Sequence, residues 1–188
     1  MKALLSRISA YYPLPETSLK TLSDSLQKVE LPKGHLLFKA GKTDRNLYFI
    51  EKGIARAFCF QNEKEVTFWF GSEGDAVLSF NSYIAGKPGY ENIELLEASV
   101  LYKIEHAVLQ QFFATDIALA NWGRKMAERE LVKTEERFIS RQFKTASERY
   151  HELITRNPQL LQRVQLGHIA SFLGVTQVTL SRIRSENS

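Results

Sequence analysis

The chain has 188 residues, 44% of them hydrophobic and 24% charged, an ordinary globular composition with room for one or two domains. Mean hydropathy is -0.25, and no apolar run approaches the ~20 residues of a membrane span. The opening MKALLSRISAYYPLPE is broken by Ser6 and Arg7 and lacks the apolar core and cleavage site of a secretion signal, so a cytoplasmic protein without a membrane partner is expected. A single cysteine, Cys59, excludes an intramolecular disulfide and a four-cysteine metal or iron–sulfur site.

Charge is unevenly placed. Residues 1–115 hold 13 Lys and Arg against 13 Asp and Glu, whereas residues 116–188 hold 12 against 8. The whole net charge of +4 therefore lies in the C-terminal part, which suits a nucleic-acid partner for that part, since phosphate binding is driven by counterion release, and equally suits a solvated basic surface.

In chain order, residues 3–28 read as helical, with Leu4, Leu5 and Ile8, then Leu19, Leu22 and Leu26, at helical spacing around a break at Pro13 and Pro15. From Val29 to Glu105 short β-branched and aromatic runs follow one another: HLLF, NLYFIEKG, IARAFCFQ, EVTFWFG, NIELLEA and VLYKI. Turn material separates them, and Gly86, Pro88 and Gly89 mark a loop tip. Many short strands at this spacing predict an antiparallel roll, sandwich or barrel. From His106 the chain is helical again. AVLQQFF is a short helix, and Asp116–Arg141 contains no Pro and only Gly123. Within that long helix Ile117, Ala120, Arg124, Ala127, Leu131, Thr134 and Phe138 recur at alternating spacings of three and four over about three heptads. Two arrangements fit this stripe: a helix packed on its own β domain, or a two-helix homodimer seam, which the charge on the other faces favours. TASE, Thr145–Glu148, has the form of a capping box and starts a new helix that ends at Asn157-Pro158.

The last stretch, LGHIASFLGVTQVTLSRIRS, has the spacing of a helix-turn-helix. Ile169, Ala170 and Leu173 form one apolar face, Ala170 being small where a second helix crosses. Gly174 suits a left-handed turn, Val175 plugs the corner, Thr176 is a good N-cap, and Leu180 and Ile183 hold the second helix. The remaining face carries Thr176, Gln177, Val178, Thr179, Ser181 and Arg182. It has no acidic residue, and its hydroxyl, amide and guanidinium groups suit phosphates and base edges. A helical hairpin without a ligand explains the apolar spacing but not this face. Only three residues follow Ser185, so any wing strand is expected in the short QRVQ before the motif.

A β domain, a long helix and a C-terminal helix-turn-helix, in that order, resemble the CRP/FNR family of bacterial transcription regulators. The stretch GHLLFKAGKTDRNLYFIEKGIAR, Gly34–Arg56, is similar to the start of that family's cyclic-nucleotide-binding β-roll, with Gly41, the hydrophobic quartet Leu47–Ile50 and Gly53 in place; Phe38, Lys42 and Asp44 depart from the commonest residue types. The resemblance implies an α+β fold. Its parts are a β-roll sensor domain (1–115), a long dimerisation helix (116–142) and a minimally winged helix-turn-helix domain (143–188). It implies double-stranded DNA, a second copy of the chain and RNA polymerase as partners.

In members that bind cyclic AMP, a Gly-Glu pair and, about ten residues later, Arg followed by Ser or Thr grip the cyclic phosphate. Here the matching places fall at Leu78-Ser79 and Gly89-Tyr90, with no Arg and no second acidic residue, and Lys87 as the nearby cation. A cyclic phosphate needs a fixed cationic fork, so cyclic AMP is not expected to bind in the usual mode. Ser79, Asn81, Gly89 and Tyr90, with Thr134 from the long helix, are the candidate effector-pocket residues for an unknown small molecule. At the DNA end the family's base-reading Arg, Glu and later Arg correspond to Gln177, Val178 and Arg182. Val178 can touch a thymine methyl but cannot hydrogen-bond, so a different site sequence is expected.

Other chemistries find no support. A cupin-like metalloenzyme needs two or three His and a carboxylate on one strand cluster. The β region offers only His35, with His106 just beyond; His151 and His168 are scattered. No nucleophile–base or paired-carboxylate pattern is present, so the expectation is a non-enzyme without cofactor. A small-molecule-binding β-roll whose helical tail is structural is the alternative.

Overall fold

The computed structural model describes residues 2–186. Pro13 and Pro15 separate helix α1 (Lys2–Ser9) from α2 (Glu16–Asp24). Then come β1 (Gln27–Leu31), β2 (Leu36–Phe38), β3 (Leu47–Lys52), β4 (Ala55–Gln61), β5 (Lys64–Gly71) and β6 (Ala76–Val77), helix α3 (Phe80–Ala85), and β7 (Asn92–Leu95) and β8 (Ser99–Ile104). The chain closes with α4 (His106–Thr115), α5 (Ile117–Phe143), α6 (Ala146–Arg156), α7 (Leu160–Arg163), α8 (Leu166–Leu173) and α9 (Gln177–Glu186).

The strands form two four-stranded sheets, in the orders β1-β8-β3-β6 and β2-β7-β4-β5. Pairing is antiparallel wherever the register is defined, with Leu47 opposite Ile104 and Ile50 opposite Leu101 in the first sheet. The ladder slips between Ile50 and Lys52, just before Gly53 at φ +125°. A Cβ there would meet Ser99 Oγ at 2.1 Å, so glycine is required both for conformation and for space. The β4–β5 hairpin turns through Asn62 and Glu63, both at positive φ, the signature of a two-residue type I′ loop.

Two compact units emerge. The first comprises the chain up to Ala57 together with Phe70–Leu131; the second comprises Phe58–Trp69 and the chain from Val132 onward. In the first, Leu4, Ile8, Leu22, Leu47, Phe49, Ile104, Leu109, Leu119, Trp122 and Met126 form the core, so the N-terminal helices, one face of a sheet and the start of α5 share one apolar interior. Asp116 begins α5: its Oδ1 accepts from the backbone N–H of Ala118 and Leu119 at 2.8 and 3.2 Å, and its Oδ2 from Ser18 Oγ at 2.6 Å.

In the second unit Tyr150, Leu153, Leu160, Val164, Ile169, Ala170, Leu173, Leu180 and Ile183 are buried. The capping box is formed: Thr145 Oγ1 accepts from Glu148 N at 3.3 Å while Glu148 Oε2 accepts from Thr145 N at 2.7 Å. Ser171 of α8 bridges the edge strand of the second sheet. Its hydroxyl donates to Glu65 O at 2.8 Å and accepts from Thr67 N at 2.9 Å, joining a helix to two outward backbone groups of β5.

Four expectations are corrected. Helix does not persist to residue 28, because Gln27–Leu31 pairs with β8 as a strand. The β region is interrupted by α3, whose FNSYIA run ends at Gly86 in the left-handed conformation. The short strand β6 is an addition, formed by the buried Ala76-Val77 pair against β3. The QRVQ run forms no wing strand: Gln162 and Arg163 lie in α7, whose apolar Leu160 is buried in the helical core.

Burial and hydrogen bonding in these units set two expected outcomes. The Ser18 hydroxyl first, and the two capping N–H groups, hold the Asp116 carboxyl below the usual carboxylate range. Its charged form therefore stabilises the fold above the ordinary aspartate pKa, and that contribution is lost as pH falls through the lowered value. Asp116→Ala should lower the melting temperature at pH 7, with the gap to the parent narrowing below about pH 4 in a thermal-unfolding pH series; a gap independent of pH would contradict this. Ser171→Ala leaves two strand-edge groups without their partner and should cost about 1–3 kcal/mol. Thr67 amide exchange should accelerate in step, and unchanged protection there would count against the bridge.

Candidate DNA interface and effector pocket

The helix-turn-helix is built as its spacing predicts. Gly174 ends α8 at φ +69°, and Gly174 N and Val175 N donate back to Ser171 O and Ala170 O, closing a Schellman-type turn. Arg149 of α6 donates from Nη2 to Leu173 O at 2.8 Å, placing a cation on the carbonyl end of α8. Thr176 caps α9: its Oγ1 accepts from Thr179 N at 3.1 Å. No acidic residue stands in the first turn of α9, so its positive end is uncompensated by side chains.

Leu180 and Ile183 point into the core and fix the rotation of α9. The rest of the helix faces outward. Thr176, Gln177, Val178, Ser181 and Arg182 are exposed and Thr179 half-buried, with Val178 at 81%. Arg182 lies 4.0 Å from Glu186 one turn on. Gly167 of α8 leaves room for the Gln177 side chain, since a Cβ there would meet Gln177 Nε2 at 2.6 Å. The six candidate DNA-contacting residues therefore lie on one short helix and its N-cap, Thr176.

The stripe on α5 is likewise outward. Ile117, Leu131 and Phe138 are 79%, 70% and 67% exposed, Arg124, Ala127 and Thr134 are exposed, and Ala120 is half-buried. The opposite face, Leu119, Trp122, Gly123, Met126 and Glu130, is the buried one. Periodicity alone overlooked Val132, Ile139 and Phe143, exposed apolar residues beside the lower part of the stripe. The signal was present as a second row about a quarter-turn away, spaced seven and four.

The candidate effector residues separate into two groups. Ser79 and Gly89 meet: Ser79 is 2% exposed, and a Cβ on Gly89 would lie 2.5 Å from its Oγ. The turn after α3 is held by Gly89 N donating to Lys42 O at 3.0 Å and Gly41 N to Gly89 O at 2.8 Å. Asn81 Nδ2 donates to Pro88 O at 2.7 Å and Ser82 Oγ to Lys87 O at 2.9 Å. Asn81 thus shapes the turn. The Tyr90 side chain is exposed. Thr134 belongs to the second unit, where its Oγ1 accepts from Arg137 Nη2 at 2.8 Å.

One acidic residue was missed. Glu91, one place beyond Tyr90, is 5% exposed, and its Oε2 accepts from Tyr90 N at 3.1 Å. Its chain position follows an exposed tyrosine and gave no sign of burial. The cations near this turn are otherwise placed. Lys42, Lys87 and Arg45 are exposed; Arg45 Nη2 donates to Tyr83 O at 3.3 Å and lies 2.7 Å from His106 Nε2. Burial first, and then Arg45, lowers the His106 pKa. Buried Arg56 is paired with Glu94, at 2.7 Å from Nε and 2.6 Å from Nη2 to Oε1. Gly89 stands where the resemblance places the gripping arginine, and the buried carboxylate of Glu91 stands two residues on.

Comparison with known proteins follows the same division. Residues 28–116 match the cyclic nucleotide-binding domain family. The fumarate and nitrate reduction regulatory protein of Vibrio cholerae is 26% identical over 193 residues, spanning 95% of this chain and 76% of the relative. Among solved structures, FixK2 from Bradyrhizobium japonicum shares the fold with a TM-score of 0.72 at 18% identity, over 86% of this chain and 83% of FixK2. A CRP/FNR-family regulator of Eubacterium rectale does so at 0.70 and 17%, over 93% and 85%. A domain match over the roll, a relative similar along nearly the whole length and solved structures with the same fold agree: the chain is similar to regulators of the CRP/FNR family and shares their fold.

Proposed function

We propose that the protein is a dimeric, sequence-specific DNA-binding transcription regulator. The observation that carries this reading is the outward face of α9, where Thr176, Gln177, Val178, Thr179, Ser181 and Arg182 surround an uncompensated helix N-terminus on a frame fixed by Leu180 and Ile183. Such a helix suits the major groove: the N-cap region and hydroxyls meet phosphates, Arg182 takes guanine through two donors, Gln177 pairs with adenine, and Val178 packs on a thymine methyl. The names of the relatives, a reduction regulatory protein and a family regulator, point the same way.

The working division is a sensor roll over 1–115, a dimerisation helix over 116–142 and a DNA-binding domain over 143–188. Two copies would bury the apolar stripe of Ile117, Ala120, Ala127, Leu131 and Phe138, with Arg124 at its margin. Dimerisation matches the two-fold symmetry of operator DNA, and a regulator acting in the cytoplasm would have RNA polymerase as its remaining partner. The roll would sense a small molecule other than cyclic AMP in its usual mode. No catalytic step is assigned.

Arg182→Ala should weaken binding to a duplex from the gene's own upstream region by about 1–3 kcal/mol and relax specificity at one base pair, read by gel shift. Wild-type affinity and specificity in that variant would overturn the assignment of α9. Leu131→Glu combined with Phe138→Glu should convert the dimer to monomer in sedimentation and abolish the shift, because buried like charges oppose association. A variant that remains dimeric would rule out the stripe as the seam. If the parent protein binds no duplex at all, the roll-with-structural-tail alternative takes its place.

A further inference from the structure

Gly167 lies in the first turn of α8 without a positive φ, unlike Gly174 at the other end of that helix. A glycine inside a helix loses more conformational freedom on folding than alanine and costs stability. Backbone conformation therefore gives no reason for glycine at 167, and the reason is one of space. Outside its own helix, a Cβ at 167 would meet two atoms within 4 Å, Gln177 Nε2 at 2.6 Å and Gln177 Cδ at 3.6 Å. Both belong to the amide end of one side chain.

Gln177 opens α9, and its backbone is fixed within the chain. Thr176 caps the helix, and the buried Leu180 and Ile183 set its rotation. Helical side chains lean toward the N-terminus of their helix. That lean carries the Gln177 amide back onto α8, where it rests against Gly167, three residues before the buried Ala170. Gln177 is nonetheless exposed, and among the described residues its amide makes no hydrogen bond within the chain. The contact thus restricts the side chain while leaving its donor and its acceptor unused. A free glutamine side chain loses much rotamer entropy when a ligand orders it, and restricting it beforehand lowers that cost. Adenine is read through both ends of a glutamine amide, so the place of the amide decides whether both bonds form.

We propose that Gly167 is a positioning residue for base reading: its missing side chain sets the place of the Gln177 amide, and with it the preference for adenine at one base pair. The proposal rests on the reading of α9 as the helix that enters the major groove. A methyl group at 167 displaces a flexible amide end and no other atom outside α8. It therefore changes what is read at one position while the fold and the reach of Arg182 are kept.

The experiment is a double-substitution cycle on the full-length chain, with Gly167→Ala, Gln177→Ala and the two combined. The probes are a duplex selected by the parent protein from a random library and its single-base-pair variants. Discrimination is read as the ratio of dissociation constants for the preferred and the altered pair. Gln177→Ala identifies the pair that Gln177 reads. Gly167→Ala should lower discrimination at that pair at least about fivefold. It should leave discrimination at the pair lost in Arg182→Ala within about twofold, and add nothing in the Gln177→Ala background. Its melting temperature should equal or exceed the parent's, since alanine replaces a helical glycine. In the free protein, a nuclear Overhauser contact between the Gln177 amide protons and the Gly167 α protons reads the position itself.

Unchanged discrimination at the Gln177 pair, or absence of that Overhauser contact, overturns the proposal and leaves the regulator reading in place. A loss of affinity that is uniform across sequences and persists in the Gln177→Ala background does the same, because it makes Gly167 a structural position. A parent protein that selects no duplex, or a specificity that survives both Gln177→Ala and Arg182→Ala, overturns the reading of α9 and this proposal with it.

Discussion

Trp122 is the constraint from which the rest of the long helix takes its bearing. Its ring is fully buried in the first unit, 6.0 Å from that of Phe49, and its Nε1 donates to Ile8 O at 2.9 Å. Gly123 beside it leaves space for Phe113, whose ring would lie 2.5 Å from a Cβ at that position. A buried indole N–H is expensive to leave unpaired. One hydrogen bond and one missing side chain therefore fix the rotation of α5 about its own axis. Once Leu119, Trp122 and Met126 face inward, the 3.6-residue repeat turns Ile117, Arg124, Ala127, Leu131 and Phe138 outward. A 27-residue helix thus has two faces, one holding its own domain and one exposed, the face proposed to meet a second copy.

The same economy governs the C-terminal motif. Ile169, Ala170, Leu173, Leu180 and Ile183 are buried and set the frame, and Gly174 supplies the backbone reversal at φ +69°. Reading is proposed for the outward face instead, where Thr176 bonds Thr179 and Arg182 lies beside Glu186 while Gln177, Val178 and Ser181 stay exposed. Stability and recognition are in this way assigned to different residues on adjacent helical turns, and substitutions on the two faces should separate in their effects.

Much of this was legible in the residues, for reasons that differ by element. Strands β2, β3, β4, β5, β7 and β8 were visible because alternation and β-branched content persist over several residues, and the helix starts at Thr145 and Thr176 because capping chemistry is local. Strand β1 escaped because QKVEL is short, polar and continuous with a helical run; its state is set by pairing with β8, a partner about 70 residues away. Helix α3 escaped because FNSYIA has strand-like composition, and only the left-handed Gly86 after it and the packing of Ser82 stabilise the turn. Glu91 could not be found by pattern at all. Its burial depends on a loop folded back against Lys42 and Gly41. The misread elements thus cluster where tertiary pairing decides the local conformation.

On the proposed function, sensing and DNA reading would diverge from the cyclic-AMP case at a few positions, Gly89 in the roll and Gln177 and Val178 on α9. The claim at the centre of this account is that α9, presented twice by a dimer, reads a symmetric DNA sequence. Selection of binding sites from a random duplex library with the purified protein tests it most directly. The account predicts enrichment of a two-fold symmetric motif whose half-sites are centred about one helical turn, roughly 10 base pairs, apart or a multiple of that distance. Failure to enrich any motif, or enrichment of one without two-fold symmetry, would contradict it.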